Sequence, residues 1–300
     1  MPVAFMTIVR MNTKKGNEMN REEFEQELCS RLVEEMPSLQ FSVEKIDKLQ
    51  DPYRGIVAEK VSSGIGICLN TDGAYKEYLE TGDFDSIVSK TTLMAAKAFA
   101  EAPEVSFITD YEKVKPALIM EIVSSERNKE LLEDTVHRDF LDLSLVIRIA
   151  VGGKGSAVVK MAMTDIWGKT EEQIIEDAIR NTVETKPLII TSLLDWMFGE
   201  DNPLPGDKDM LLAGTKEGTF GASVICYPEF IEKATEITEG GFYIIPSSIH
   251  EVLIVPGEYD KEKSVELRNM VHEVNEAEVP YEDQLSESVY YCDGQEIRVA

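Results

Sequence analysis

Residues 141–163, LDLSLVIRIAVGGKGSAVVKMAM, contain the clearest secondary-structure signal in this chain. Two runs rich in β-branched side chains, 141–151 and 156–163, flank the glycine-rich segment 152–155. β-Branched residues favour extended backbone, and glycine allows the positive φ angles that tight turns need. The stretch therefore predicts two antiparallel strands joined by a glycine-rich turn.

Helices and strands alternate on both sides of this hairpin. Apolar residues at helical spacing predict a helix at 20–36, with Asn20 as its N-cap, and another at 170–182, capped by Thr170. The last third predicts strands 209–214 and 219–226, helix 228–238, strands 242–246 and 249–255, and helix 261–275. This ββαββα order predicts an α+β fold with antiparallel sheets and helices packed on one face.

The length of 300 residues suits two subdomains. Pro103 and Pro116 bracket a short segment. Proline interrupts regular structure, so this segment is the predicted boundary between the subdomains. The predicted division is an N-terminal α+β subdomain, residues 1–115, and a C-terminal α+β subdomain, residues 116–300. The second ends in a polar, acidic tail, in which Asp293-Gly294 predicts a hairpin turn.

The charge balance restricts the classes of partner. The chain has 56 acidic and 30 basic residues, a net charge of −26, and residues 151–300 hold 29 of the acids and 12 of the bases. Phosphate backbones and anionic lipids repel such a protein, so direct binding to nucleic acid or membrane is not predicted. The acidic second half suits a basic protein partner, and the alternative, which is the more common explanation, is that its charge keeps the protein soluble.

The same composition indicates where the protein works. No run approaches the roughly 20 apolar residues that span a bilayer, and the N-terminus lacks the order of a signal peptide. The four cysteines form no CxxC pair, which is typical of reduced thiols. We therefore expect a cytoplasmic protein with no cofactor. No HExxH and no Walker spacing occurs, so neither a metal site nor a phosphate-binding loop is predicted.

Ser248, His250 and Glu251 are the candidate catalytic residues. They lie inside the apolar run FYIIPSSIHEVLIVP, where burying polar side chains is costly unless they have partners. Serine, histidine and a carboxylate are the residue types of a hydrolase, although no G-x-S-x-G elbow is present. The alternative is a β-turn at 246–248 with His250 hydrogen-bonded at the start of a strand.

Four further residues are candidates for binding: His137, Arg138, Arg148 and Trp196. Arg148 lies inside an apolar strand, where we expect a structural ion pair with Asp139 or Asp142. Trp196 belongs to the apolar stretch 187–198, which Pro187 could open as a helix. This stretch is either a contact patch for a protein partner or part of the core.

Several short stretches together resemble a known family. They are FYIIPSSIHEV at 242–252, HRDFLDL at 137–143, and the pairs Trp167-Gly168, Gly221-Ala222 and Tyr227-Pro228. They resemble an uncharacterised bacterial family of gut anaerobes, known only as a domain of unknown function, whose members often sit on mobile elements. The resemblance covers about residues 20–290, and the chain is also distantly similar to an uncharacterised bacillary family.

The resemblance implies a bacterial mobile-element setting and carries no catalytic assignment. The favoured function is therefore a non-enzymatic accessory or interaction protein that acts through an acidic surface, with counter-defence as one role. The alternative is a hydrolase with its site around His250 and Glu251. The residues do not distinguish a monomer from an oligomer.

Overall fold

The computed structural model of the chain describes residues 19–46, 49, 53–60, 65–101, 106–151, 155–198, 210–246 and 248–300. Three parts of the predictions lie outside these residues: residues 152–154 of the predicted glycine-rich turn, Ser247 of the possible β-turn 246–248, and Asp209 of the predicted strand 209–214. The described residues divide into two compact units. The N-terminal unit contains the described residues within Met1–Ile46 and Tyr53–Ala102. The C-terminal unit contains the described residues within Asp47–Pro52 and Pro103–Ala300.

The N-terminal unit packs three helices on a three-stranded sheet. Its elements are α1 (Arg21–Glu35), β1 (Gln40–Ile46), β2 (Tyr53–Lys60), β3 (Ile65–Asn70), α2 (Asp72–Thr81) and α3 (Phe84–Glu101). The strands are antiparallel in the order β1-β2-β3. The core contains Phe24, Leu28 and Leu32, which recur along one face of α1, and Ile56 of β2. This apolar face explains the helical spacing seen in the sequence.

The start of α1 is set by a capping box. The Asn20 side chain accepts a hydrogen bond from the Glu23 N–H at 3.0 Å, and the Asn20 N–H donates to Glu23 Oε2 at 2.9 Å. Two backbone donors at the helix end are thereby satisfied, and the predicted N-cap is confirmed.

Asn20→Ala is expected to lower the stability of the first turn of α1 by about 1 kcal/mol, because the capping acceptor is lost. Hydrogen exchange of the α1 amides, followed by mass spectrometry, measures this change. Asn20→Asp replaces the amide oxygen by a carboxylate oxygen, which accepts the same hydrogen bond, and is expected to exchange like the native chain. Equal exchange in Asn20→Ala and the native chain would contradict the role of the cap.

The C-terminal unit begins with a four-stranded antiparallel sheet. Two short helices, α4 (Tyr111–Val114) and α5 (Lys129–Leu132), accompany its strands β4 (Leu118–Ser124), β5 (His137–Phe140), β6 (Leu143–Val151) and β7 (Gly155–Val158). The long central strand β6 pairs with β4 on one side and with β5 and β7 on the other. The predicted hairpin is confirmed, since Val151 pairs with Gly155.

The second run of this hairpin is shorter than predicted. β7 ends at Val158, and α6 (Met161–Trp167) begins after Lys160. The unbranched residues Met161, Ala162 and Met163 favour helix over strand. Helix α7 (Glu171–Thr185) then follows with its predicted cap at Thr170.

A six-stranded antiparallel sheet forms the rest of the C-terminal unit. In space its order is β13 (Ile297–Val299), β12 (Tyr290–Cys292), β10 (Phe242–Ile245), β11 (Val252–Pro256), β9 (Leu211–Thr215) and β8 (Leu188–Ser192). The predicted turn at Asp293-Gly294 is confirmed, because Cys292 pairs with Ile297. The predicted α+β class with antiparallel sheets is also confirmed.

Helices cover both faces of this sheet, whereas the sequence predicted helices on one face only. Helix α10 (Lys261–Ala277) packs Leu267 and Val271 against Tyr243 of β10. Helix α9 (Phe230–Thr238) packs Phe230 on the opposite face, in the core that also contains Phe242. The period of two along β10 therefore separates two apolar cores.

The predicted strand 219–226 is wrong. Residues Gly221–Cys226 form a 3₁₀ helix, so the expected ββαββα order is absent. A Cβ on Gly221 would lie 2.4 Å from the His250 carbonyl oxygen, and Phe220 has a left-handed φ of 56°. The 3₁₀ segment therefore packs its backbone directly on the backbone of the connection that follows β10. An extended strand would instead pair along the edge of a sheet.

The stretch 187–198 also differs from the predicted helix. It forms β8, which pairs with β9, and then the short helix α8 (Leu193–Phe198). The β-branched residues Ile189, Ile190 and Thr191 favour the strand, and pairing with β9 supplies the backbone hydrogen bonds.

Candidate functional site

The structure brings Ser248, His250 and Glu251 together in the connection between β10 and β11. The Ser248 hydroxyl donates to Glu251 Oε1 at 2.6 Å, and the His250 backbone N–H donates to Ser248 Oγ at 3.0 Å. Both contacts close a local loop of four residues. The Ser248 proton is therefore directed to a carboxylate and not to the imidazole.

The His250 ring has other partners. The Phe220 N–H donates to His250 Nδ1 at 3.3 Å, so the neutral ring carries its proton on Nε2. That nitrogen lies 3.5 Å from Asp283 Oδ1, and the Ile249 N–H donates to the Asp283 carbonyl at 2.8 Å. His250 thereby links the 3₁₀ segment to the segment after α10, and the Ser248 hydroxyl does not form a serine–histidine pair with its imidazole.

His137 and Arg138 lie on β5 and have local partners. His137 Nδ1 lies 2.7 Å from the Thr135 carbonyl, which fixes the ring beside its own strand. Arg138 pairs with Glu172 at the start of α7 at 2.7 Å. The structure therefore places these two candidates on a sheet edge, in an environment different from that of His250.

Arg148 forms the expected ion pair with a different carboxylate. Its Nη1 lies 2.9 Å from Glu121 Oε2, and its Nε donates to Ser156 Oγ at 2.8 Å. The predicted partners Asp139 and Asp142 are thus wrong. Glu121 lies on β4 and is diagonal to Arg148 across the β4–β6 ladder, which brings the two side chains to the same face.

Among the described residues of the C-terminal unit, Glu121 is the most strongly buried carboxylate. The residue is 4% exposed, and burial raises the pKa of its carboxyl group, while the Arg148 charge acts in the opposite direction. Lys186 and His250 also favour its ionised form. Sequence reasoning missed Glu121, although a lone glutamate inside ALIMEIV was a usable signal.

Asp142, the other predicted partner of Arg148, accepts hydrogen bonds from three hydroxyl groups instead. They come from Ser286 at 2.5 Å, Ser288 at 3.0 Å and Tyr290 at 2.5 Å. The carboxylate thereby holds the turn between β5 and β6 against β12 and the segment before it. We interpret this cluster as structural.

Trp196 lies on an exposed apolar surface at the end of α8. The exposed fractions of Trp196, Met197 and Phe198 are 44%, 62% and 63%, and these three side chains are called the α8 surface below. The indole of Trp196 lies beside Gly218, in the loop after β9. The sequence singled out Trp196 within the apolar stretch 187–198, which also contains Met197 and Phe198.

In the described part of the chain, no group of three or more histidine, cysteine, aspartate or glutamate side chains is arranged to hold a metal ion. Nor, among those residues, is any helix both long and apolar enough to cross a membrane.

Comparison with known proteins gives one match. A family model described as "Family of unknown function (DUF5688)" matches residues 21–293. No curated protein and no solved structure matches the chain. The predicted resemblance to a domain of unknown function is thereby confirmed, while its gut-anaerobe and mobile-element setting stays a prediction.

Proposed function

Because this chain belongs to the family of unknown function DUF5688, whose description assigns no activity, we propose a function from its surface chemistry. The protein is a non-enzymatic interaction module that binds a basic partner protein through the α8 surface. It acts in the cytoplasm as an accessory protein of a bacterial mobile element. The exposure of three consecutive large apolar side chains is the observation that carries this proposal.

The residue types of the α8 surface suit a protein interface. Large apolar side chains are usually buried, so three neighbours that are all about half-exposed or more need an explanation. Tryptophan, phenylalanine and methionine are enriched in the centres of protein interfaces, where they supply most of the binding energy. The polar groups around His250, by contrast, already satisfy one another, which favours an interaction protein over a hydrolase.

The net charge determines the expected chemistry of the partner. A chain of net charge −26 attracts a basic protein at long range and repels nucleic acid and other acidic proteins. A basic nucleic-acid-binding protein of the host is such a partner, and occupying its surface is the form that counter-defence would take. The attraction is screened by salt beyond about 10 Å at 0.1 M ionic strength.

A photo-crosslinking amino acid at position 197 tests the proposal. In an extract of the source bacterium, we expect the crosslinker at position 197 to form adducts with a basic protein. These adducts should be lost in the Phe198→Ser variant and be at least about tenfold weaker at 0.5 M salt than at 0.05 M. The matched control carries the crosslinker at the exposed Glu262 of α10. The unfolding free energy of Phe198→Ser should stay within about 0.5 kcal/mol of the native value, as for other surface changes.

Adducts at position 197 no stronger than those at position 262 would overturn the proposal. A partner that is acidic, or whose capture is insensitive to salt, would equally overturn it, because neither fits attraction by the negative charge.

A further inference from the structure

Two edge strands of the C-terminal unit line one cleft. Within the described residues, β5 is hydrogen-bonded only to β6, and β13 only to β12, so each ends its sheet. A cleft of about 330 Å³ is lined by Arg138, Asp139 and Phe140 of β5 and by Ile297 of β13. Edge strands present unpaired backbone donors and acceptors, which are a template for another strand.

The cleft lies on one face of the sheet beside the edge strand β5. Arg138 pairs with Leu145 of β6, and both residues line the cleft together with Phe140, which lies on the same face. Asp139 of the edge strand also lines it. β5 and β6 are joined by the two-residue turn 141–142, which makes Phe140 and Leu143 the closing pair. Alternate residues of an antiparallel pair then direct their backbone N–H outward, and Asp139 is such a residue.

The interior of this cleft is apolar. Its walls include Phe140, Ile179 of α7, Ile225, Ile231 of α9 and Ile297. Cys226 also contributes, and burial raises the pKa of its thiol to about 12. The thiol therefore remains protonated at neutral pH and acts as an apolar wall and not as a nucleophile.

A second cleft continues the first along α7. It has a volume of about 460 Å³ and shares Ile179 and Pro228 with the first. Val183 and the aliphatic part of the α7 surface line it, between Glu176 and Glu184. The two clefts together are called the edge groove, and the edge groove shares no residue with the α8 surface.

Negative charge predominates at the rim of the edge groove. Its two cations are already paired, Arg138 with Glu172 and Arg180 with Asp177. Asp139, Glu176 and Glu184 are all exposed at the rim. A neutral or acidic occupant gains nothing from these carboxylates, whereas lysine or arginine side chains would neutralise them.

We propose that the edge groove binds an extended segment of a partner protein by strand addition to β5. The segment's backbone pairs with the free edge at Asp139, its alternate apolar side chains enter the two clefts, and its basic side chains lie beside the rim carboxylates. This mode of recognition obtains affinity from backbone hydrogen bonds and specificity from alternate side-chain pockets.

Other occupants satisfy fewer of these features. A small apolar molecule could fill the cleft, but it would leave the edge of β5 unpaired. A second copy of this chain would pair two β5 edges and bring two sets of acidic side chains together, which is unfavourable. A basic extended segment pairs with the free edge, places apolar side chains against the apolar walls and neutralises the acidic rim.

Selection from a random twelve-residue peptide display library against the full chain tests the inference. Enriched peptides are expected to alternate apolar residues with lysine or arginine. Fluorescence anisotropy then compares the affinity of the best peptide for the native chain and for two variants. Asp139→Pro removes the outward N–H, and Ile179→Glu places a charge in both clefts. Each variant is expected to bind the peptide at least tenfold more weakly than the native chain does. Asp139→Asn keeps the N–H and should weaken binding only a few-fold, and only at low salt.

Backbone N-methylation of the peptide provides an independent measurement if Asp139→Pro unfolds. Methyl groups at alternate residues should abolish binding, whereas those at the intervening residues should leave it unchanged. Failure to enrich any peptide, or binding that Asp139→Pro and N-methylation both leave unchanged, would overturn strand addition. If the native chain forms a dimer and Asp139→Pro dissociates it, the occupant of the edge groove is a second copy of this chain. That result would overturn the inference of a basic partner segment. The crosslinking experiment at position 197 is independent of all these outcomes.

Discussion

Arg148→Met is expected to lower the free energy of unfolding of the C-terminal unit by about 3–5 kcal/mol at pH 8, the cost of removing one partner of a buried ion pair. Arg148 is the basic group that contacts the Glu121 carboxylate, at 2.9 Å, and Glu121 is 4% exposed. Methionine retains the length of the side chain but leaves a buried carboxylate without that partner. Urea unfolding measures the loss, followed by the fluorescence of Trp167 and Trp196, which both lie in this unit.

The loss should depend on pH in a definite direction. Burial raises the pKa of Glu121 above its ordinary value, so the folded state binds the proton more tightly than the unfolded state. Stability from this group is therefore full below the unfolded pKa and is lost as the pH rises through the folded pKa. Without Arg148 the folded pKa rises further. The deficit of Arg148→Met relative to the native chain should consequently be smaller near pH 4 and grow toward pH 8.

Glu121→Gln combined with Arg148→Met is the matched control. The double variant has no charge at this pair of positions, so we expect it to regain most of the lost stability and to lose the extra pH dependence. Neutral pairs of similar volume often replace buried ion pairs at little cost. A double variant as unstable as Arg148→Met at pH 8 would show that packing around Arg148, and not the unpaired charge, causes the loss.

Gly221→Ala is expected to cost about 3 kcal/mol, at the upper end of ordinary overpacking. The added Cβ would lie 2.4 Å from the His250 carbonyl oxygen and 2.9 Å from the Thr215 nitrogen, and both are backbone atoms. Neither can move alone, because the His250 segment is held through Ser248 and Phe220, and Thr215 ends β9. The 3₁₀ segment would have to move away from the sheet.

Gly214→Ala on β9, against which Gly221 packs, provides the control. Its Cβ would meet the Glu251 Cβ at 3.6 Å and the His250 oxygen at 3.7 Å, both ordinary contacts. We expect its unfolding free energy to stay within about 1 kcal/mol of the native value by the same urea measurement. Equal losses in the two variants would contradict the close approach at Gly221 as the cause.

The parts of the fold that the sequence predicted are those that neighbouring residues form by themselves. The cap at Asn20 needs only Glu23, and the turn at Asp293-Gly294 joins strands a few residues apart. The hairpin of β6 and β7 is equally local. Hydrogen bonds of this kind depend on residue type and spacing, which the sequence contains.

The parts that it missed depend on residues far apart in the chain. Residues 219–226 have the composition of a strand, yet Gly221 lies against the backbone of His250 and the segment forms a 3₁₀ helix. Arg148 has two aspartates nearer in sequence than Glu121, yet the ladder of β4 and β6 puts Glu121 on its face. Sheet order decides such pairings, and no local pattern encodes that order.

The candidate sites divide in the same way. The sequence by itself determined the net charge of −26, the cluster of Ser248, His250 and Glu251, and the apolar run that ends at Phe198. Only the tertiary structure decided that the Ser248 hydroxyl faces Glu251, that the α8 surface is exposed, and that β5 ends its sheet beside an apolar cleft. Net charge and apolar runs depend only on which residues are present and in what order. A hydrogen-bond direction, an exposed face or a free sheet edge exists only once distant segments of the chain have packed together.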